Sequence, residues 1–132
     1  MTKSLLTAIL LLISSFTLAQ NLQSYEAPKN NNNINVIPLG SDKHASEFLI
    51  FIRESVPLHY HAEHTELVYI LSGMGSMQLG DQTMSVKSGD FIRIPQGTHH
   101  SVTVTSKEPL KVLSVQTPEF TGKDRVMVNL PE

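Results

Sequence analysis

Apolar residues fall in short runs along this chain, each closed by a cluster of turn-forming residues. Glu47–Arg53 (Glu-Phe-Leu-Ile-Phe-Ile-Arg) is dense in β-branched and aromatic residues, which predicts a buried strand. Ahead of it the apolar positions resume at Ile34–Leu39, and Gly40-Ser41-Asp42 reads as a turn. Behind it, Pro57 marks the edge at which the next strand begins, with Leu58–His61 extended after it. Glu66–Leu71 is a further strand, ended by Ser72-Gly73-Met74-Gly75. Ser76–Leu79 and Gln82–Val86 flank Gly80-Asp81, a tight hairpin signal. Lys87-Ser88-Gly89-Asp90 turns into Phe91–Ile94, Pro95-Gln96-Gly97-Thr98 turns into His99–Thr105, and Leu110–Gln116 closes the body. Nothing after Ala19 carries the period of an amphipathic helix. Turns about every eight to twelve residues predict an all-β, single-domain antiparallel sandwich or barrel.

The two ends read differently. Met1-Thr2-Lys3 brings a positive charge, Leu5–Phe16 is almost wholly apolar, and Thr17-Leu18-Ala19 offers small residues for cleavage. Those three regions predict a signal peptide over 1–19, cut after Ala19, and a periplasmic or secreted product. The apolar run is shorter than the roughly 20 residues of a membrane span. Residues 20–33 are polar, with Lys29-Asn30-Asn31-Asn32-Asn33 of low complexity, and predict a linker with little structure of its own. The domain proper then runs over 34–132. Its tail, Thr117–Val126, is polar and turn-rich, and is expected to lie as a flap over a barrel edge.

A length of 132 residues suits one domain, and 40% hydrophobic with 17% charged residues is ordinary for a globular one. The absence of cysteine excludes disulfides, thiolate zinc sites and iron–sulfur clusters. A net charge of −2 without a basic cluster points away from nucleic acid.

Chemistry concentrates in two segments, His59-Tyr60-His61-Ala62-Glu63-His64-Thr65-Glu66 and Pro95-Gln96-Gly97-Thr98-His99-His100, which hold five of the six histidines. On an extended strand His59 and His61 share a face, and a short turn through Ala62–Thr65 returns Glu66 to it. His100, after a Pro-x-Gly turn, can join from another strand. Imidazole nitrogens and a carboxylate oxygen converging there suit a divalent first-row metal. His64 and His99 read either as ordinary exposed or partly buried histidines, or as groups that hydrogen-bond a ligand from behind. For His64 a proton shuttle at the mouth is the sharper alternative. Glu63 reads as solvated. Parity puts Val68, Ile70 and Val102 on the cavity wall with some of Met77, Met84 and Phe91, and turns Tyr60 and Tyr69 outward. Arg93 is either an anion clamp or an outward charge.

His59-x-His61-x4-Glu66-x6-Gly73 followed by Gly89-x5-Pro95-x-Gly97-x2-His100 resembles the motif pair of the cupin superfamily. Arg53 and Val104 depart from the family pattern, at positions that are not ligands in it. The resemblance covers about Ile34 to Glu132 and implies a jelly-roll β-barrel holding one divalent transition metal (Fe, Mn, Ni, Cu, Co or Zn) inside its mouth. It further implies an oxygenase, isomerase, lyase or decarboxylase acting on a small organic molecule, with Glu66 serving as ligand and base. The alternative is a non-catalytic barrel that binds a sugar or phenolic ligand. The edge strand Glu47–Arg53 and the arm before it lead to the expectation of a homodimer.

Overall fold

The computed structural model describes residues 19–128. The expected signal peptide lies outside them apart from Ala19, as does the end of the apolar run Val126–Leu130. After a single 3-10 turn at Leu22–Ser24 come ten strands: β1 (Ile34–Ser41), β2 (Ser46–Ile52), β3 (Ser55–His61), β4 (Thr65–Ser72), β5 (Met74–Leu79), β6 (Gln82–Lys87), β7 (Phe91–Ile94), β8 (His100–Val104), β9 (Leu110–Thr117) and β10 (Arg125–Met127). They form two five-stranded antiparallel sheets, β1-β2-β9-β4-β7 and β10-β3-β8-β5-β6, that close on each other as a jelly-roll barrel. No described helix is long and apolar enough to cross a membrane.

The hydrophobic pattern explains the closure. Ile52, Val68, Ile70, Met77, Leu110 and Val112 face inward from both sheets and form the core. β2 does not alternate because both of its faces are covered. Ile50 and Ile52 pack into the barrel, while Leu49 and Phe51 pack outward against Leu22, Tyr25, Ala27 and Leu113. A strand buried on both sides reads as a continuous apolar run. Gly73 joins β4 to β5 at φ 83°, and a Cβ there would lie 2.8 Å from the Pro109 carbonyl oxygen, so the bend requires glycine.

Residues 20–33 have more structure than the expected linker. The buried Lys111 ammonium donates to the carbonyls of Gln23 (3.1 Å) and Tyr25 (2.8 Å), and Arg53 donates to Pro28 O at 2.7 Å. Asn33 Oδ1 accepts from the backbone of Glu54 and Ser55. Asparagine side chains that cap backbone groups give a low-complexity stretch a fixed path. At the other end, β10 pairs with β3 and the tail lies along a barrel edge, in the place expected of a flap.

Candidate metal centre

β3 brings His59 and His61 to one face, where both are buried. A bulge between Val56 and His59 shifts the β3–β8 register so that His59 sits opposite His100. Gly97 makes the turn into β8 at φ 76°, and its N–H donates to His61 O at 2.8 Å, tying the second histidine segment to the first. β4 returns Glu66 to the same interior. His59, His61 and His100 each offer a ring nitrogen within 4.8 Å of the others.

What lies behind each ring fixes its direction. His59 Nδ1 donates to Pro57 O at 2.8 Å and His100 Nδ1 to Thr98 O at 2.9 Å. His61 Nδ1 faces the Asp124 carboxylate at 3.2 Å. With Nδ1–H turned backward in each ring, the Nε2 lone pairs are left for the interior. Glu66 Oε2 lies 3.3 Å from Nε2 of both His61 and His100, and Oε1 accepts from Ser114 Oγ at 2.5 Å. Lone pairs and a carboxylate oxygen this close repel unless a cation, a proton or a metal ion, sits among them.

Burial pushes the His59 pKa down to about 4, with the neighbouring His100 adding to it, so this ring is neutral near pH 7. Burial also opposes charge on His61, but Glu66 and then Asp124 outweigh it and raise its pKa. Burial alone would raise Glu66. When protons rather than a metal ion occupy the cluster, hydrogen bonds from His100, His61 and Ser114 instead hold it well below the usual carboxylate range. A carboxylate so stabilised, and anchored by Ser114, is a better ligand than a base. The swing between roles expected of Glu66 has this anchor against it.

The other expected residues distribute as follows. Of the readings open for His64, the structure favours a group behind a ligand over an exposed ring or a shuttle at the mouth: it is buried behind His61 and shares Asp124 with that ring. Its Nδ1 bonds Asp124 Oδ2 and its Nε2 donates to Glu119 O at 2.7 Å, so neither nitrogen is free to carry protons from a mouth. The reason is the tail, which folds across the Ala62–His64 turn and accepts Ala62 N–H at Asp124 O (2.9 Å). His99 is exposed on the outside and stacks on Tyr60, with ring centroids 5.1 Å apart. Val68, Ile70, Val102 and Met77 line a cavity of about 200 Å³ that includes the histidine cluster. Met84 packs against the edge of the core. Phe91, the one of the three wall candidates that is not inside, is 63% exposed, and Arg93 is exposed on the same face of β7. The Gly89 turn at φ 92° resets the parity, so Ile92 and Ile94 point inward instead.

Five residues at the site escaped the sequence reading: Ser114, Gln116, Phe120, Asp124 and Arg125. Ser114 and Gln116 carried a signal, being polar at the inward parity of Leu110 and Val112 on β9. Asp124 accepts from the backbone N–H of Glu63 (3.2 Å) and His64 (3.1 Å) as well as contacting both imidazoles. It therefore fixes the ring whose Nε2 enters the site. Burial would raise its pKa, but the hydrogen bonds from His64 and His61 lower it.

Comparison with known proteins agrees with this geometry. An uncharacterized protein of Aquifex aeolicus is 38% identical over 97 residues, covering 74% of this chain and 79% of the relative. Among solved structures, a Klebsiella pneumoniae protein with a double-stranded β-helix domain superposes with a TM-score of 0.72 at 16% identity, over 85% of this chain and 97% of that one. Streptomyces Pac13, described as a nucleoside dehydratase, gives 0.66 at 17% identity, over 78% and 84%. The model of the cupin domain matches residues 48–116, a segment that contains both histidine clusters and the strands between them. The chain belongs to the cupin family.

Proposed function

We propose that this protein is a metal-dependent cupin enzyme acting on a small organic molecule, with one divalent transition metal held by His59, His61, Glu66 and His100. The observation that carries the reading is the direction of the rings: three Nδ1–H groups are held from behind while the Nε2 atoms and Glu66 Oε2 converge. Nitrogen and carboxylate donors of this kind fit a first-row divalent ion. Such an ion supplies Lewis acidity toward substrate oxygens. The chain's own residues orient and enclose the substrate. Ser114 and Asp124 hold Glu66 and His61 in place, and the apolar wall excludes water from the bound molecule. The dehydratase among the fold neighbours supports keeping lyase and isomerase chemistry beside oxygenation. The other reading, a non-catalytic binder of a small ligand, is favoured by the wall itself. Apart from the candidate ligands, no carboxylate or histidine among the described residues lines the cavity.

Export through the segment 1–19 and pairing as a homodimer belong to the same proposal. β2 lies between β1 and β9 rather than at an edge as expected, so the free edge that supports the pairing is β1. Mass spectrometry of the native N-terminus and sedimentation at micromolar concentration test the two.

Elemental analysis of the untagged protein tests the metal centre. Near-stoichiometric metal, lost in His61→Ala, is expected, and no metal under any reconstitution overturns the reading. Turnover of any screened compound by the loaded protein decides for the enzyme over the binder.

A further inference from the structure

Two polar groups at the cavity lack a partner among the described residues. Gln116 stands beside Glu66 in the β4–β9 register, is 7% exposed and lines the cavity. Its Oε1 is buried with no hydrogen-bond partner among the described residues. A buried amide oxygen left unpaired is costly, and a ligand group that meets it recovers that cost. A hydroxyl both donates and accepts, so it meets the amide in either orientation.

Arg125 is the second group. It lies opposite His61 on β10 and lines the cavity. Among the described residues its guanidinium has no ion pair. Val36 and Arg125 are the exposed members of the lining, and they sit on the edge strands β1 and β10, which frame the opening. Gln116 flanks Glu66 and Arg125 flanks His61, and those two residues are 3.3 Å apart. The amide and the guanidinium therefore border one point. Arg93, the other candidate for an anion clamp, is exposed on the outer face and takes no part.

Apart from the candidate ligands and Ser101, the rest of the wall is apolar, and the cavity holds about 200 Å³. An apolar cavity of about 150 Å³ admits benzene. The space therefore suits one ring, or a branched chain of that size, with a short polar substituent.

We propose that the site takes a small hydroxy-carboxylate with a compact apolar body, its carboxylate bound by Arg125 at the opening and its hydroxyl met by Gln116 beside Glu66. The assignment rests on the metal reading only in placing the reacting oxygens at the histidine cluster. Arg125 and Gln116 select the substrate from the protein side.

The test is calorimetric binding of three matched probes, mandelate, phenylacetate (no hydroxyl) and mandelamide (no charge), with metal content measured on the same samples. Mandelate is expected to bind at least about 10-fold tighter than mandelamide, the scale of a hydrogen bond to a charged group. That ratio falls to near one in Arg125→Gln and is partly kept in Arg125→Lys. Mandelate is also expected to exceed phenylacetate by about 3- to 10-fold, the scale of a neutral hydrogen bond. In Gln116→Leu this preference shrinks while the charge preference stays. Equal binding of mandelate and mandelamide overturns the proposal, as does a preference unchanged in Arg125→Gln or no saturable binding of any probe in the millimolar range. A metal-loaded protein without selectivity overturns this assignment and leaves the metal centre standing. A protein that takes up no metal under any reconstitution and still discriminates supports it and overturns the metal centre.

Discussion

The N-terminal arm, 20–33, and the C-terminal strap, 118–127, are fastened to the barrel by the same device with different consequences. Each has, among its fastenings, one buried charged side chain that gathers several partners. Lys111 reaches out from β9 to the carbonyls of Gln23 and Tyr25 in the arm. Asp124 reaches in from the strap to His61, His64 and two backbone N–H groups of the β3–β4 turn. The arm covers the outer face of one sheet, over Leu49, Phe51 and Leu71, where nothing reactive lies. The strap's anchor is itself the group that orients a candidate metal ligand. One attachment therefore stabilises the barrel alone, while the other couples barrel closure to the geometry of the site.

The largest expected effect that separates the two ends comes from Asp124→Ala. It leaves two buried imidazoles and two N–H groups without their acceptor, and unpairing a buried charged cluster typically costs about 3–5 kcal/mol. The group behind a metal-bound histidine typically contributes roughly 10- to 100-fold in metal affinity. Urea denaturation and a chelator competition should show both losses together. Lys111→Met should show only the first. It keeps the length of the stem and removes the ammonium that bonds two carbonyls and lies 5.7 Å from the Phe51 ring centroid. A loss of about 1–3 kcal/mol, the scale of hydrogen bonds to a charged group, is expected with metal affinity unchanged. A fall in metal affinity in Lys111→Met would show that the arm also reaches the site and would end the contrast.

The sequence made one half of this site legible and hid the other for a physical reason. His59, His61 and Glu66 lie on two consecutive strands joined by a short turn, so strand parity alone brings them together. His100 follows from the glycine turn that aims it. Asp124 is 60 residues from His64 and 63 from His61, and it sits in a stretch whose composition says only that it turns. Local periodicity carries no information about a contact made across that distance. The choice among the readings of His64 was hidden with it, because both of its ring nitrogens bond to the strap. The outward turn of Phe91, with Arg93 on the same face, has a different cause. A single glycine turn between strands shifts the count by one, and with a period of two that exchanges the faces. Ser114 and Gln116 were readable in principle, since polar residues at the inward positions of an apolar strand ask for a partner inside.

A smaller change asks which feature of the strap matters to the metal. Ser46, almost fully buried on β2, accepts the Phe120 N–H at 2.9 Å and lies 2.7 Å from Ser41 Oγ. This bond pins the strap to the opposite sheet from the one that β10 joins. Phe120 in turn packs edge-on against Phe48, with ring centroids 5.9 Å apart, and against His64 at 5.8 Å. Ser46→Ala removes the hydroxyl and leaves one backbone N–H unpaired, a loss of about 1 kcal/mol. The contacts of Asp124 with His61 and His64 do not pass through Ser46. Metal affinity should therefore hold to within about twofold while protease cleavage near Phe120 quickens, because a looser strap exposes its backbone more often. If chelator competition instead shows a loss as large as that of Asp124→Ala, His61 is held by closure of the whole strap. The carboxylate would then be one fastening among several, and the distinction between the two ends would lie in where they close rather than in which residue closes them.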